Sequence, residues 1–208
     1  MNAVTSCPDL VPEARNLQAT LTGEDTGQVP RQELFFNNPT IAAHFLGRAQ
    51  GSDFADEIEF VRNIGWGMAR GTSWGVRIGA RNGTASDGTS HYAGGSEVGW
   101  DDLDAMTGPD LDALAGTYAE RASAIRTGGL LVHIFMLHCF HSAATGLGME
   151  RLCMMVYDQP DLLREYMRRV EGFNRRALQA ILSTGIVPDI AIFDADCAFK
   201  TSMMVSPE

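Results

Sequence analysis

The chain has 208 residues, of which 45% are hydrophobic and 20% charged, a composition that is ordinary for a globular protein of one or two domains. Its formal net charge of −10 repels the phosphates of nucleic acids and the surface of anionic membranes, so neither is an expected partner. An anionic small-molecule substrate stays possible, because basic residues can still gather locally in a site.

The cysteines indicate a reducing compartment. Four occur, far apart and without a CxxC pair, at Cys7, Cys139, Cys153 and Cys197. The N-terminal sixteen residues lack the basic start and apolar run of a signal peptide. The longest apolar run, residues 128–140, is too short to cross a bilayer. We therefore expect a cytoplasmic protein.

The first third of the chain predicts two helices after an irregular start. Residues 1–30 are polar and show no clear period. Asn38 is placed to cap a helix that opens at Pro39. A second helix is expected with Ser52 as its cap, acidic residues in its first turn, and Gly65 at its end.

A glycine-rich stretch follows these helices. Residues 66–80 look extended, and Asn82-Gly83 is a turn signal within a segment poor in apolar residues, which indicates a hairpin or an exposed loop. The next helix is predicted to start near Asp110 and to end at Gly128-Gly129.

The second half of the chain alternates buried strands with helices. Residues 130–136 and 189–193 are apolar runs of strand length, typical of strands buried in a parallel sheet. Between them we expect a helical stretch over 142–157 and a strongly amphipathic helix over 160–184. This order predicts an α/β fold with parallel strands.

The last third of the chain resembles a known family. Residues 148–208, and more weakly residues 33–67, resemble the uroporphyrinogen decarboxylase superfamily, which includes cobalamin-dependent methyltransferases. The resemblance implies a single (β/α)₈ TIM-barrel domain. Such a barrel needs eight strands and about 250 residues. Only three or four strands are visible here, and Ser206-Pro207-Glu208 is a helix-start signal. We therefore expect an incomplete barrel, its N-terminal portion.

The resemblance is closer to the methyltransferase-like branch than to true decarboxylases. The Arg-Gln-Ala-Gly-Arg-Tyr stretch of decarboxylases is missing, Gly67 stands where their catalytic aspartate is expected, and their Phe-Asp-Ser is Phe193-Asp194-Ala195 here. The resemblance thus implies a corrinoid (methylcobalamin)-dependent methyltransferase that uses zinc, with a corrinoid protein or a small-molecule methyl acceptor as its partner.

Two alternatives remain open. One is a uroporphyrinogen decarboxylase of tetrapyrrole biosynthesis. The other is an inactive half-barrel that self-associates as a homo-oligomer or pairs with a missing C-terminal half. The open sheet edge of such a fragment predicts poor solubility and no turnover for residues 1–208 alone.

Two acidic residues are the candidate catalytic groups. Asp194 and Asp196 follow the strand at 189–193, and in a barrel that end of the strand faces the active site. Two carboxylates in such a loop can act as acid and base. The alternative is that one caps a turn and the other is solvated. The resemblance implies that Phe193 and Phe140 line the substrate pocket. Lys200 is close by in the sequence, and it is expected either to pair with one of the two aspartates in that pocket or to be a plain surface lysine.

A compact histidine and cysteine motif follows the strand at 130–136. His138, Cys139 and His141 are potential zinc ligands, although their spacing is not a standard one. We expect them to face the same cavity as the two aspartates, because both segments follow strands at one face of the sheet. His133, inside the strand, is expected to be a core residue with its hydrogen bonds satisfied.

Overall fold

The fold is described from a computed structural model that covers residues 10–33, 38–51, 53–86, 88 and 90–197. Eight helices and five strands lie within these ranges. The helices are α1 (Pro12–Leu21), α2 (Pro39–Leu46), α3 (Phe54–Asn63), α4 (Trp100–Asp104), α5 (Leu111–Thr127), α6 (Cys139–Leu147), α7 (Met149–Asp158) and α8 (Pro160–Ser183). The strands are β1 (Met68–Trp74), β2 (Arg81–Thr84), β3 (Ser90–Gly94), β4 (Leu131–Leu137) and β5 (Ile190–Asp194).

The N-terminal segment contains a helix that the sequence did not predict. The expectation of an irregular segment over residues 1–30 is wrong for Pro12–Leu21, which forms α1. Only Ala14 and Leu17 are buried on this helix. Two buried positions in ten residues give too weak a period to stand out in the sequence.

The caps of the next two helices follow from local chemistry. The Asn38 side chain accepts hydrogen bonds from the backbone N–H groups of Thr40 and Ile41, as predicted. Helix α3 is capped by Asp53, whose carboxylate accepts from the Ala55 N–H. The predicted cap, Ser52, lies outside the described residues.

The glycine-rich region forms a hairpin, but its turn is not where the sequence placed it. Strands β2 and β3 pair antiparallel, with Gly83 opposite His91. Asn82 and Gly83 therefore lie within β2 rather than in the turn. A β-carbon on Gly83 would come within 2.8 Å of the His91 ring, so this glycine makes room for a cross-strand neighbour.

The helices of the second half match the predictions closely. The Asp110 side chain accepts from the backbone N–H groups of Asp112 and Ala113 at the start of α5, and Gly129 takes a positive φ after its end. Helix α8 covers nearly the whole predicted range. The helical stretch predicted at 142–157 is two helices, α6 and α7, separated at Gly148 (φ 86°).

Three strands form a parallel sheet in the order β1-β4-β5. The central strand, β4, is buried at every position, because it has a neighbour on each side. The two predicted strands of this half are confirmed. However, the expectation that residues 189–193 are buried is wrong, since β5 is an edge strand with exposed or half-exposed side chains. The described strands form no closed barrel.

The chain divides into two compact units. The first comprises residues 1–73, 115–134 and 181–191, and its core includes the fully buried ring of Tyr118, whose hydroxyl donates to the Ile186 carbonyl at 2.9 Å. The second comprises residues 74–114, 135–180 and 192–208. In its core the Tyr166 hydroxyl lies within hydrogen-bond distance of two backbone carbonyl oxygens.

Across the ranges that the structure covers, no helix combines the length and apolar character needed to cross a membrane.

Candidate functional site

Within the second unit, the carboxyl ends of β4 and β5 are joined directly. The backbone N–H of His138, the residue after β4, donates to the carbonyl oxygen of Asp194, the last residue of β5, at 2.9 Å. In parallel sheets this end is where side chains from successive strand-to-helix loops meet. The segment after β4 and the end of β5 are thus neighbours at His138 and Asp194, whereas a cavity shared by His138, Cys139 and the two aspartates stays a prediction.

The His138 side chain caps the next helix. Its backbone is extended (φ −65°, ψ 152°), and its Nδ1 accepts a hydrogen bond from the Phe140 N–H at 3.3 Å. The chain thus passes from strand to helix within a single residue. This role fixes Nδ1 as an acceptor, so that nitrogen is engaged in the fold rather than turned toward a ligand.

His141, one turn into α6, faces Asp194. Its Nδ1 lies 3.5 Å from Oδ2 of Asp194, and the two side chains are 17% and 30% exposed. The distance is long for a hydrogen bond, and Nδ1 is buried without a hydrogen-bond partner among the described residues. The Asp194 carboxylate is therefore placed beside an imidazole nitrogen that lacks another partner. A closer approach would complete an imidazole–carboxylate pair of the kind that serves in acid–base chemistry.

Cys139 is not suited to be a nucleophile. Burial raises the pKa of its thiol, and the nearby Glu171 carboxylate adds to that rise, whereas the Phe140 backbone N–H lowers it in part. Its Sγ lies 3.8 Å from each ring nitrogen of His138. Since the thiolate is the reactive form, this cysteine is mainly an unreactive thiol at neutral pH.

The other predicted site residues are placed differently. Asp196 is exposed in the segment after β5, and Phe193 is 60% exposed. Phe193 is the neighbour of Asp194 along the strand, so their side chains point to opposite faces of β5. Phe140 is buried in the core at 9% exposure, and Lys200 lies outside the described residues.

Asn174 on α8 is a residue of this region that sequence reasoning missed. Its Nδ2 donates to the Leu137 carbonyl at 2.9 Å, and its Oδ1 accepts from the Trp74 indole N–H at 3.0 Å. The Asn174 amide thus forms hydrogen bonds with the last residue of β1 and the last residue of β4. A single asparagine in an amphipathic helix carries no sequence signal for such a role.

The three candidate zinc ligands do not converge on one point. Among the described residues, no group of three or more His, Cys, Asp or Glu side chains is close enough to hold a metal ion. His138 uses Nδ1 as a cap and His141 faces Asp194. Zinc binding by His138, Cys139 and His141 stays a prediction without geometric support.

One expectation about the decarboxylase branch needs correction. Gly67, taken from the sequence as the counterpart of the decarboxylase aspartate, lies before β1 and not after it. The residues that follow β1, at 75–80, are Gly-Val-Arg-Ile-Gly-Ala and contain no carboxylate.

No protein-family model, curated protein or solved structure matches the chain. The basis for a functional proposal is thus the site geometry together with the sequence resemblance.

Proposed function

We propose that this protein is an enzyme of the cobalamin-dependent methyltransferase-like branch of the uroporphyrinogen decarboxylase superfamily. Its parallel sheet would belong to a (β/α)₈ barrel, and its site would lie at the carboxyl ends of the strands. The observation that supports this proposal best is the pairing of Asp194 with His141, 3.5 Å apart at the end of β5. The free thiols of Cys139, Cys153 and Cys197 agree with a cytoplasmic location.

The proposed chemistry gives each member of this pair a role. Transfer of a methyl group to a thiol releases the thiol proton, which a base must accept. Asp194, as a carboxylate, would hold a proton on Nδ1 of His141 and fix the ring orientation, leaving Nε2 as the basic nitrogen. A methyl-carrying corrinoid supplies the methyl group when it is bound. Among the described residues, no group of three or more metal-ligating side chains is placed to hold a metal ion that would activate the thiol.

The decarboxylase alternative finds less support. Decarboxylation of a substrate with several carboxylates calls for cationic groups, and the arginine-rich stretch of that branch is missing. The residues after β1 offer Arg77 but no aspartate. We therefore propose a corrinoid protein or a small-molecule methyl acceptor as the partner of the enzyme. If the protein is instead a non-enzymatic half-barrel, the partner we propose is a C-terminal half-barrel that completes it or a second copy of the chain.

The test uses the encoding gene expressed to its natural stop codon. The purified protein receives methylcobalamin with a panel of small thiols, and loss of the cobalt–methyl absorbance is followed; decarboxylation of uroporphyrinogen III is assayed in parallel. Asp194→Asn and His141→Gln should each lower the methyl-transfer rate by about 10²-fold or more, the contribution typical of a positioned acid or base. Asp101→Asn, an exposed acid of α4, is the matched control and should leave the rate unchanged.

The outcomes separate the hypotheses. Decarboxylation without methyl transfer would replace the proposal by the decarboxylase reading. Absence of both activities in a folded protein would favour the non-enzymatic reading. Full activity of both variants would remove the Asp194–His141 pair from the mechanism.

A further inference from the structure

The first unit contains a polar cavity that the proposed function does not use. It has a volume of about 140 Å³ and lies among the start of β1, the middle of α3 and β4. Its wall includes Arg70, His133, Glu57, Glu33, Trp66 and Phe60. A cavity of this size accommodates a molecule of about five to seven non-hydrogen atoms, which is smaller than most cofactors.

His133 contributes to the wall of this cavity and also carries an unsatisfied polar atom. The residue is only 2% exposed, as expected for a core position, but its Nδ1 is buried without a hydrogen-bond partner among the described residues. The expectation that its hydrogen bonds are satisfied is therefore wrong for this atom. Burying a polar atom without a partner costs free energy, so a ligand that bonds to Nδ1 gains an interaction that the protein itself leaves unmade.

The wall carries charges of both signs. Arg70 lies close enough to His133 to lower the pKa of that imidazole, while Glu57 and Glu33 supply carboxylates to the same cavity. Glu57 also accepts from the guanidinium of Arg121 through Oε2 at 2.7 Å. A simple anion would meet the carboxylates, and a simple cation would meet the guanidinium. A molecule with one charge of each sign suits this wall better than either.

Aromatic rings complete the cavity. Trp66 and Phe60 pack edge to face, with ring centroids 5.7 Å apart, and both line the wall that also carries Glu57. Aromatic faces next to a carboxylate are a common environment for an ammonium group. Arginine, in turn, provides a planar fork of N–H donors that can hold a carboxylate while it keeps another partner.

We propose that this cavity binds a free α-amino acid of glycine to serine size. Its carboxylate would bond to Arg70 and His133, and its ammonium group would face Glu57 and the Trp66 ring. The site is distinct from the Asp194–His141 pair and does not depend on the proposed methyltransferase activity.

The test measures binding to the wild-type chain by isothermal titration calorimetry. Glycine and serine are titrated, with acetate and methylammonium as probes that each carry only one of the two charges. We expect saturable binding of the amino acids and at least about tenfold weaker binding of both single-charge probes, since each forfeits one charge-assisted contact. Equal affinity for acetate and glycine would overturn the proposal in favour of an anion site.

Two further measurements keep the proposal independent of any folding defect. The His133 ring is followed by NMR in the wild-type protein, where glycine should shift its nitrogen signals and raise its pKa because a carboxylate arrives beside it. Arg70→Met should weaken glycine binding at least about tenfold, whereas Arg77→Met, an exposed arginine of the second unit, should not.

Each outcome then decides the question. Unchanged His133 signals and no saturable heat up to about 50 mM glycine would mean that only water occupies the cavity, and would refute the proposal. Equal weakening by both arginine variants would mean that the binding lies elsewhere.

Discussion

Replacing His133 should remove a large part of the protein's sensitivity to mild acid. Burial, together with the neighbouring Arg70 guanidinium, lowers the pKa of His133 to about 4 from its ordinary value of 6.5, with a small opposing effect of the Ile134 backbone. The folded protein therefore holds this imidazole neutral, while the unfolded chain protonates it below pH 6.5. Between pH 6.5 and pH 4 the unfolded state binds more protons, so the free energy of unfolding falls as the pH falls.

The size of the effect follows from the two pKa values. A difference of one pKa unit corresponds to about 1.4 kcal/mol, which gives an upper bound of about 3 kcal/mol when the pH is well below 4. At pH 5 the folded group is still almost wholly neutral, and the loss relative to pH 8 is about 2 kcal/mol. The residue is 2% exposed, so solvent screening reduces this figure little. For a domain whose stability is about 5–15 kcal/mol, such a loss is readily measured.

The assay is urea unfolding at pH 8 and at pH 5 of the wild type, His133→Asn, and His44→Asn as the control for an exposed histidine. Other groups also titrate over this range, but they are common to all three proteins. The wild type and His44→Asn should therefore lose about 2 kcal/mol more than His133→Asn between the two pH values. The same pH dependence in all three would refute the reasoning that His133 is held neutral by burial and Arg70.

Four further outcomes are expected. Tyr166→Phe removes a hydroxyl that lies at hydrogen-bond distance from one buried and one part-buried carbonyl oxygen and should lower the free energy of unfolding by about 1–2 kcal/mol in urea titrations. Asn174→Leu should cost about 1–3 kcal/mol in the same assay, because it leaves a carbonyl and an indole N–H without partners. Iodoacetamide at neutral pH, followed by mass spectrometry, should label Cys139 more slowly in the folded protein than in urea, since burial raises the pKa of the Cys139 thiol. The protein should self-associate in light scattering, because edge strand β5 exposes 60% of Phe193; a stable monomer would contradict this.

The sequence predicted the parts of the fold whose signal is local and strong. Strand β4 is a continuous apolar run, and α8 carries a long amphipathic period, so both were placed within one or two residues. Asn38 followed by Pro39 identified the start of α2 in the same way. In each case the burial pattern or the cap is a property of a few adjacent residues.

The errors arise where tertiary contacts decide. The Asn82-Gly83 pair has the composition of a tight turn, yet the pairing of Gly83 with His91 keeps it inside a strand. The exposure of β5 could not be predicted from its composition either: β1 and β5 are both edge strands of the described sheet, yet β1 is mostly buried and β5 is not, because burial depends on what packs on the faces of each strand. The order of strands in a sheet cannot be predicted from the amino-acid composition of each strand.

The candidate site was partly predictable for a geometric reason. Parallel strands end at the same edge of a sheet, so residues that follow β4 and β5 had to be neighbours, and the bond from the His138 N–H to the Asp194 carbonyl shows that they are. Which histidine faces the carboxylate was not predictable. Because His138 caps α6 through its own ring, the chain turns at once into a helix, and the residue that reaches Asp194 is His141, one turn later.

The role of His133 could not be predicted from the sequence. A histidine within an apolar strand has two explanations that look identical in the sequence, a satisfied core residue or a polar atom that awaits a partner. Most buried polar atoms are hydrogen-bonded, which favours the first. The second is recognised only when the surroundings of the strand are known, because burial and then the Arg70 charge on β1 lower the pKa of the imidazole and hold it neutral, while Nδ1 is left without a bond. A neutral imidazole with an unmade hydrogen bond beside a cavity costs stability in the empty protein. The same feature provides affinity for whatever completes that bond, so the acid sensitivity that His133 contributes and the binding of a small amino acid should both be reduced in His133→Asn.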